Sequence, residues 1–146
     1  MQDLPHRYKA GAIARVDNNV HVSSPGLATL EVAGPAEFGG PGDLWSPETL
    51  LVGAVANCFI LSFRAISRAA RLDWHAVRCD VEGVLDRVDG KLQFVTFTER
   101  VLLEIPAVVD PEKARKLLEK AENSCLISNS LTATRELHAE IRVLDD

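Results

Sequence analysis

Cysteine is scarce in this 146-residue chain: Cys58, Cys79 and Cys125 are the three. No two of them form a Cys-x-x-Cys pair, which removes the usual zinc-binding spacing. The histidines His6, His21, His75 and His138 fall in scattered strand or terminal contexts and pair with neither a cysteine nor one another. No metal centre or cofactor is therefore expected. Positive charge is also short, with 16 Lys and Arg against 21 Asp and Glu, a net charge of −5. That balance argues against a general nucleic-acid or anionic-membrane binder. The opening MQDLPHRYKA lacks the charged-then-apolar layout of a signal peptide, so the cytoplasm is the expected compartment. Cytosolic thiols are as a rule reduced, catalytic or redox-sensing rather than structural staples. Internal repeats and low-complexity linkers are missing too. At 47% hydrophobic and 25% charged residues, 1–146 is expected to form a single soluble domain.

What the chain does have is a long apolar stretch, Ser46 to Arg71, with Cys58 at its centre. Ser46 can cap a helix, Pro47 suits the first helical position, and Glu48 favours the positive end of the helix dipole. From Leu50 to Phe63 only Asn57 and Ser62 are strongly polar, so the predicted helix is apolar on nearly every side. Such a helix is either a membrane span or a fully buried element. The uninterrupted run is too short, and too rich in Ala, Gly, Asn and Cys, for a span of about 20 residues. A long buried central helix presenting one thiol is the expectation.

Around it the pattern reads as short strands and one further helix. Residues 7–16 and 20–23 are predicted to form a hairpin about Asp17-Asn18-Asn19, with Leu27 to Ala33 as a third strand. Pro35 to Trp45 is a turn-rich loop; its glycines lack the Gly-Lys-Ser/Thr ending of a phosphate loop. Trp74 to Leu85 alternates, placing Val77, Cys79, Val81 and Leu85 on one face, and Asp89-Gly90 supplies a hairpin turn. The returning strand, Leu92 to Ile105, slips phase between Phe94 and Phe97, which predicts a bulge. Asp110-Pro111-Glu112 opens a second helix whose apolar stripe is Ala114, Leu117, Leu118, Ala121 and Cys125. Leu137 to Val143 alternates in a last strand. The order βββ-α-ββ-α-β specifies an α+β fold with mostly antiparallel strands.

Cys58 and Cys125 both lie on apolar helical faces. Taken singly, each reads as a small buried hydrophobe, and so does Cys79 between Val77 and Val81. Two helices that turn apolar faces into one core pack roughly 8–10 Å apart. Cysteines on those faces can then reach the Cα separation of about 4.4–6.8 Å that a disulfide needs. A thiolate that attacks an O–O bond becomes a sulfenic acid, and a second thiol condenses with it.

Ser46-Pro47-Glu48-x-Leu50, Ala56-Asn57-Cys58-Phe59, the Phe38-Gly39-Gly40 loop, and Ser124-Cys125 with Ser128-Asn129 together resemble the OsmC/Ohr family of organic hydroperoxide reductases. The resemblance covers almost the whole chain. It implies that Cys58 is the peroxidatic cysteine, Cys125 the resolving cysteine, and Glu48 the acidic partner of an active-site arginine. It also implies an intertwined homodimer with two sites at the subunit interface, a dithiol reductant of the lipoyl type, and neither metal nor flavin. The arginine matches Arg15 at the end of the first hairpin, with Arg7 as the alternative. Two positions depart from the family pattern: Cys125-Leu126 stands in place of Cys-Pro, and Arg15-Val16-Asp17-Asn18-Asn19 lacks the glycines typical of the peroxidase branch.

The physical need for an arginine is clear. A buried thiol is protonated near neutrality, and Cys58 lies too far along its helix to gain from the N-terminal dipole. A guanidinium stays charged when partly buried and pairs bidentately with a carboxylate. Glu48 precedes Cys58 by ten residues, roughly 15 Å along a helix and about 80° around it. It must therefore act through an intermediary or from a second chain. The expected activity is a thiol peroxidase reducing organic hydroperoxides. The alternative is a non-catalytic protein of the same fold, binding an apolar small molecule or sensing oxidants through a slow disulfide.

Overall fold

The computed structural model describes residues 1–145, which divide into two units, 1–50 and 51–145, the boundary falling inside the long helix. In the first unit, β1 (Gly11–Ile13), β2 (Val20–Ser23) and β3 (Leu30–Val32) form an antiparallel sheet in that order. The predicted hairpin is present, its turn closed by Asn18 N–H donating to the Arg15 carbonyl at 3.3 Å. Its first strand is shorter than the pattern suggested, and every residue of β1 is exposed. With only alanine and glycine between Lys9 and Ile13, the strand has little apolar surface to bury. The Pro35–Trp45 loop contains one 3-10 turn, Ala36–Phe38, ended by Gly39 at φ 85°. It closes on β3 through a parallel bridge from Trp45 to Val32.

Helix α1 (Pro47–Ala70) starts as its cap residues dictate. Thr49 N–H donates to Ser46 Oγ at 3.1 Å, and Ser46 N–H donates to Thr49 Oγ1 at 2.8 Å, a reciprocal box that satisfies two orphan donors. The expectation of a helix buried on every side is corrected here. Within one chain only Val55, Cys58, Phe59, Phe63 and Ser67 are buried, a single stripe, while Leu61 is 55% exposed.

In the second unit, β4 (Ala76–Val88), β5 (Lys91–Pro106) and β6 (Thr134–Leu144) form one sheet with β5 in the middle. Asp89 and Gly90 turn the β4–β5 hairpin with φ of 50° and 79°, both in the left-handed region. The predicted bulge is there. Leu85 pairs with Phe94 but Val84 pairs with Thr96, leaving Val95 extra. The slip returns Phe94 to the side of Phe97, and their rings stack 5.2 Å apart. A Cβ on Gly83 would sit 3.0 Å from both rings and from Val52, so only glycine fits that face without displacement.

Strand β6 runs parallel to β5. The crossover between them contains α2 (Pro111–Ser124) and the four-residue α3 (Leu126–Asn129). Asp110 caps α2, its Oδ1 accepting from Glu112 N–H at 3.0 Å. The buried face of α2 is Ala114, Leu118 and Ala121, the predicted stripe except that Leu117 is only partly covered. These side chains pack with Phe59 and Phe63 of α1 and Val101, Leu103 and Ile105 of β5 in the main core. The buried Ser67 is accounted for as well, because Trp74 Nε1–H donates to its Oγ at 3.0 Å.

Candidate active site

Cys58 lies on the buried stripe of α1, one position before Phe59. Cys125 lies just beyond the last turn of α2 and at the same time caps α3. Its backbone is extended, φ −66° and ψ 105°, which turns the chain sharply between the two helices. Both ends of this turn are tied: Cys125 N–H donates to the Glu122 carbonyl at 3.3 Å, and the Cys125 carbonyl accepts from Asn129 N–H at 2.9 Å. The two cysteines, 67 positions apart in sequence, are brought near enough for the Cys58 thiol to raise the pKa of Cys125.

All three cysteines are free thiols. Cys125 is fully buried, and burial is the main reason that its pKa is raised. Ser128, one turn on, acts the other way through its hydroxyl and its backbone N–H, while Cys58 adds to the rise. The Ser128 hydroxyl is itself buried without a well-aligned partner, so this contact is an electrostatic one. Cys79, which the alternation places among simple packing residues, comes close enough to Cys125 to feel its charge. Its own thiol is pushed up to about 12 by burial first, then by Glu99, Asp80 and Cys125.

Glu48 and Arg15 belong to the first unit. Glu48 is half-buried, and its Oε2 is covered without a hydrogen-bond partner. Arg15 is exposed, and among the described residues no ion pair joins it to Glu48. Within one chain, then, the cysteine pair is assembled and the Arg–Glu pair is not. No cluster of His, Cys, Asp and Glu suited to a metal ion occurs among the described residues.

Sequence reading passed over three further charged residues, Glu99, Glu122 and Arg135. Glu99 of β5 is fully buried, yet neither carboxylate oxygen has a hydrogen-bond partner. Its carboxyl is pushed up to about 7, by burial first and by the charge of Glu122 second, with Arg135 opposing. Arg135 of β6 pairs with Glu122 of α2, Nε to Oε1 at 3.0 Å, an ion pair without hydrogen-bond alignment. Its Nη1–H also donates to Asn129 Oδ1 at 3.0 Å. A signal for Glu99 existed, because it shares its strand phase with Phe97, Val101 and Leu103.

The model of the family of OsmC-like proteins matches residues 40–140. The chain belongs to that family. Among curated relatives, an uncharacterized Bacillus subtilis protein, YmaD, is 30% identical over 134 residues and covers 86% of each chain. An OsmC-like protein of unknown function from Vibrio cholerae superposes with a TM-score of 0.86 at 15% identity, over 93% of this chain and 100% of that one. An organic hydroperoxide resistance protein from Elizabethkingia anophelis gives a TM-score of 0.78 at 21% identity, over 98% and 100%. At these identities the structural likenesses speak for the OsmC-like fold.

Proposed function

We propose that this OsmC-like protein is a thiol peroxidase that reduces organic hydroperoxides, with Cys58 as nucleophile and Cys125 as resolving thiol. The observation that carries this reading is the proximity of two free, buried thiols contributed by different helical segments. In the first step the Cys58 thiolate attacks the distal oxygen of R–O–O–H. The O–O bond breaks, Cys58 becomes a sulfenic acid, and the departing alkoxide takes a proton to leave as ROH. Cys125 then attacks the sulfenic sulfur, a disulfide forms, and hydroxide leaves as water with the Cys125 proton. A small dithiol of the lipoyl type reduces the disulfide and is itself oxidised. The apolar residues flanking Cys58 favour alkyl or lipid hydroperoxides over hydrogen peroxide.

Two further features complete the reading. The covered, unpartnered Oε2 of Glu48 is a docking point for a guanidinium, and we assign that cation to Arg15, with Arg7 as the alternative. The apolar sides of α1 left open in one chain suit a second copy, which supports a homodimer, and we assign it to the cytoplasm. Consumption of cumene hydroperoxide with dihydrolipoamide, by the wild type and by Cys58→Ser, tests the function. Turnover that depends on Cys58 and exceeds that with hydrogen peroxide is expected; equal consumption by the Cys58→Ser protein rejects it.

A further inference from the structure

Glu99 is in an expensive position unless it does something. It sits on the helix-facing side of β5, opposite Val81 of β4 and Leu137 of β6, with no solvent access and no donor on either oxygen. A buried carboxylate without hydrogen bonds or a dedicated cation is strongly disfavoured. The charged and titratable groups that interact with it are Cys79 from β4, Arg135 from β6 and Glu122 from α2. Two carboxylates share one guanidinium here. Arg135 is already engaged by Glu122 and by Asn129. The site balances its charge when Glu99 is protonated and carries an unmatched negative charge when it is not.

The same residues hold the turn that carries Cys125. Glu122 accepts the Cys125 N–H through its carbonyl, and Asn129 donates its N–H to the Cys125 carbonyl. Asn129 Nδ2–H closes the turn on the Asn123 carbonyl at 3.1 Å. Arg135 grips both Glu122 and Asn129, one on each side of Cys125. Cys79 feels the charge of both Glu99 and Cys125.

We propose that Glu99 is a proton-controlled positioning residue for Cys125: protonated, it leaves Arg135 to hold the Cys125 turn against Cys58, and ionised, it competes for Arg135 and loosens that turn. This inference rests on the reading of Cys125 as the resolving thiol. It adds a control that the cysteine pair alone does not have. Loss of the proton around neutrality sets a ceiling on Cys125 reactivity where an ordinary thiol would go on gaining thiolate with rising pH.

The test isolates the attack of Cys125 without any peroxide. In a Cys79→Ser background, an aryl disulfide such as dithiobis(nitrobenzoate) reacts at Cys58, the thiol with residual exposure, giving a Cys58–aryl mixed disulfide and one aryl thiolate. Cys125 then displaces the second aryl thiolate and releases its proton, leaving the Cys58–Cys125 disulfide. Two thiols are oxidised and one aryl disulfide is reduced. The second release is intramolecular, so its rate is independent of reagent concentration. With Glu99 present, the rate is expected to rise with pH and bend near the carboxyl's titration at about 7. Glu99→Gln, which mimics the protonated form, is expected to match it at about pH 5.5, to rise without the bend, and to be roughly tenfold faster at about pH 8.5.

A rate ratio that does not change with pH overturns the proposal, as does failure of a Cys58–Cys125 disulfide to form in either protein. Should Glu99→Gln not fold, the Glu99-containing parent decides alone: a bend near neutrality supports the proposal, and a rate rising straight through neutrality overturns it. Cumene hydroperoxide turnover is followed separately. Its absence would reject the peroxidase reading while the aryl-disulfide result stands on its own.

Discussion

The Cys58 thiol lies close enough to Cys125 to raise its pKa, although one residue lies inside α1 and the other on the turn between α2 and α3. The two are brought together within a single chain. That divides the roles of the two residues cleanly. Cys125→Ser should still lose one thiol to one equivalent of cumene hydroperoxide, leaving a Cys58 sulfenic acid that dimedone traps. Multiple turnover should fall by about tenfold or more, because no internal thiol displaces the hydroxyl. Cys58→Ser should form no dimedone adduct, as read by mass spectrometry.

Stability should fall as pH rises through neutrality, and Glu99 is the reason. Its folded-state pKa, about 7, lies above the ordinary 4.5. The folded state therefore binds this proton more tightly, and the resulting stability is fully present below about pH 4.5 and lost as pH rises through about 7. At about 1.4 kcal/mol per pKa unit the loss is on the order of 3 kcal/mol. Urea denaturation of the wild type across this window should show it, and Glu99→Gln should remove most of the slope.

Leu126 tests whether the missing proline matters. It is the first residue of α3, it is 66% exposed, and Cys125 before it already has the extended backbone that precedes a proline. Leu126→Pro should change stability by no more than about 1 kcal/mol, because the fixed φ and absent N–H suit that position. Chemical denaturation measures this directly. A loss much larger than that would mean that the turn needs the leucine.

Gly83 should resist even the smallest side chain. Its added methyl would press on two stacked phenylalanine rings and on Val52 at 3.0 Å. Gly83→Ala should cost roughly 1–3 kcal/mol through overpacking, outweighing the entropy gained by losing a glycine. Thermal unfolding should register a lower midpoint.

The local features of this protein were written in its sequence. Ser46, Pro47 and Glu48 start α1, and Asp110 and Pro111 start α2, because caps act over three or four residues. Asp89-Gly90 and the Phe94–Phe97 phase slip defined the long hairpin and its bulge for the same reason. Cys58 and Cys125 were legible as a pair because each occupied an apolar helical phase. What only the tertiary structure decided depends on elements distant in sequence. The direction of β6 followed from the helical crossover that returns it alongside β5. The open sides of α1 could not be read from its composition, since hydropathy does not say which chain covers a surface. Glu99, Glu122 and Arg135 come from a strand, a helix and another strand, and nothing local marks the two carboxylates as sharing one guanidinium. A charge balance inside a core exists only once the core has been assembled, and that is where the cysteine pair acquired its control.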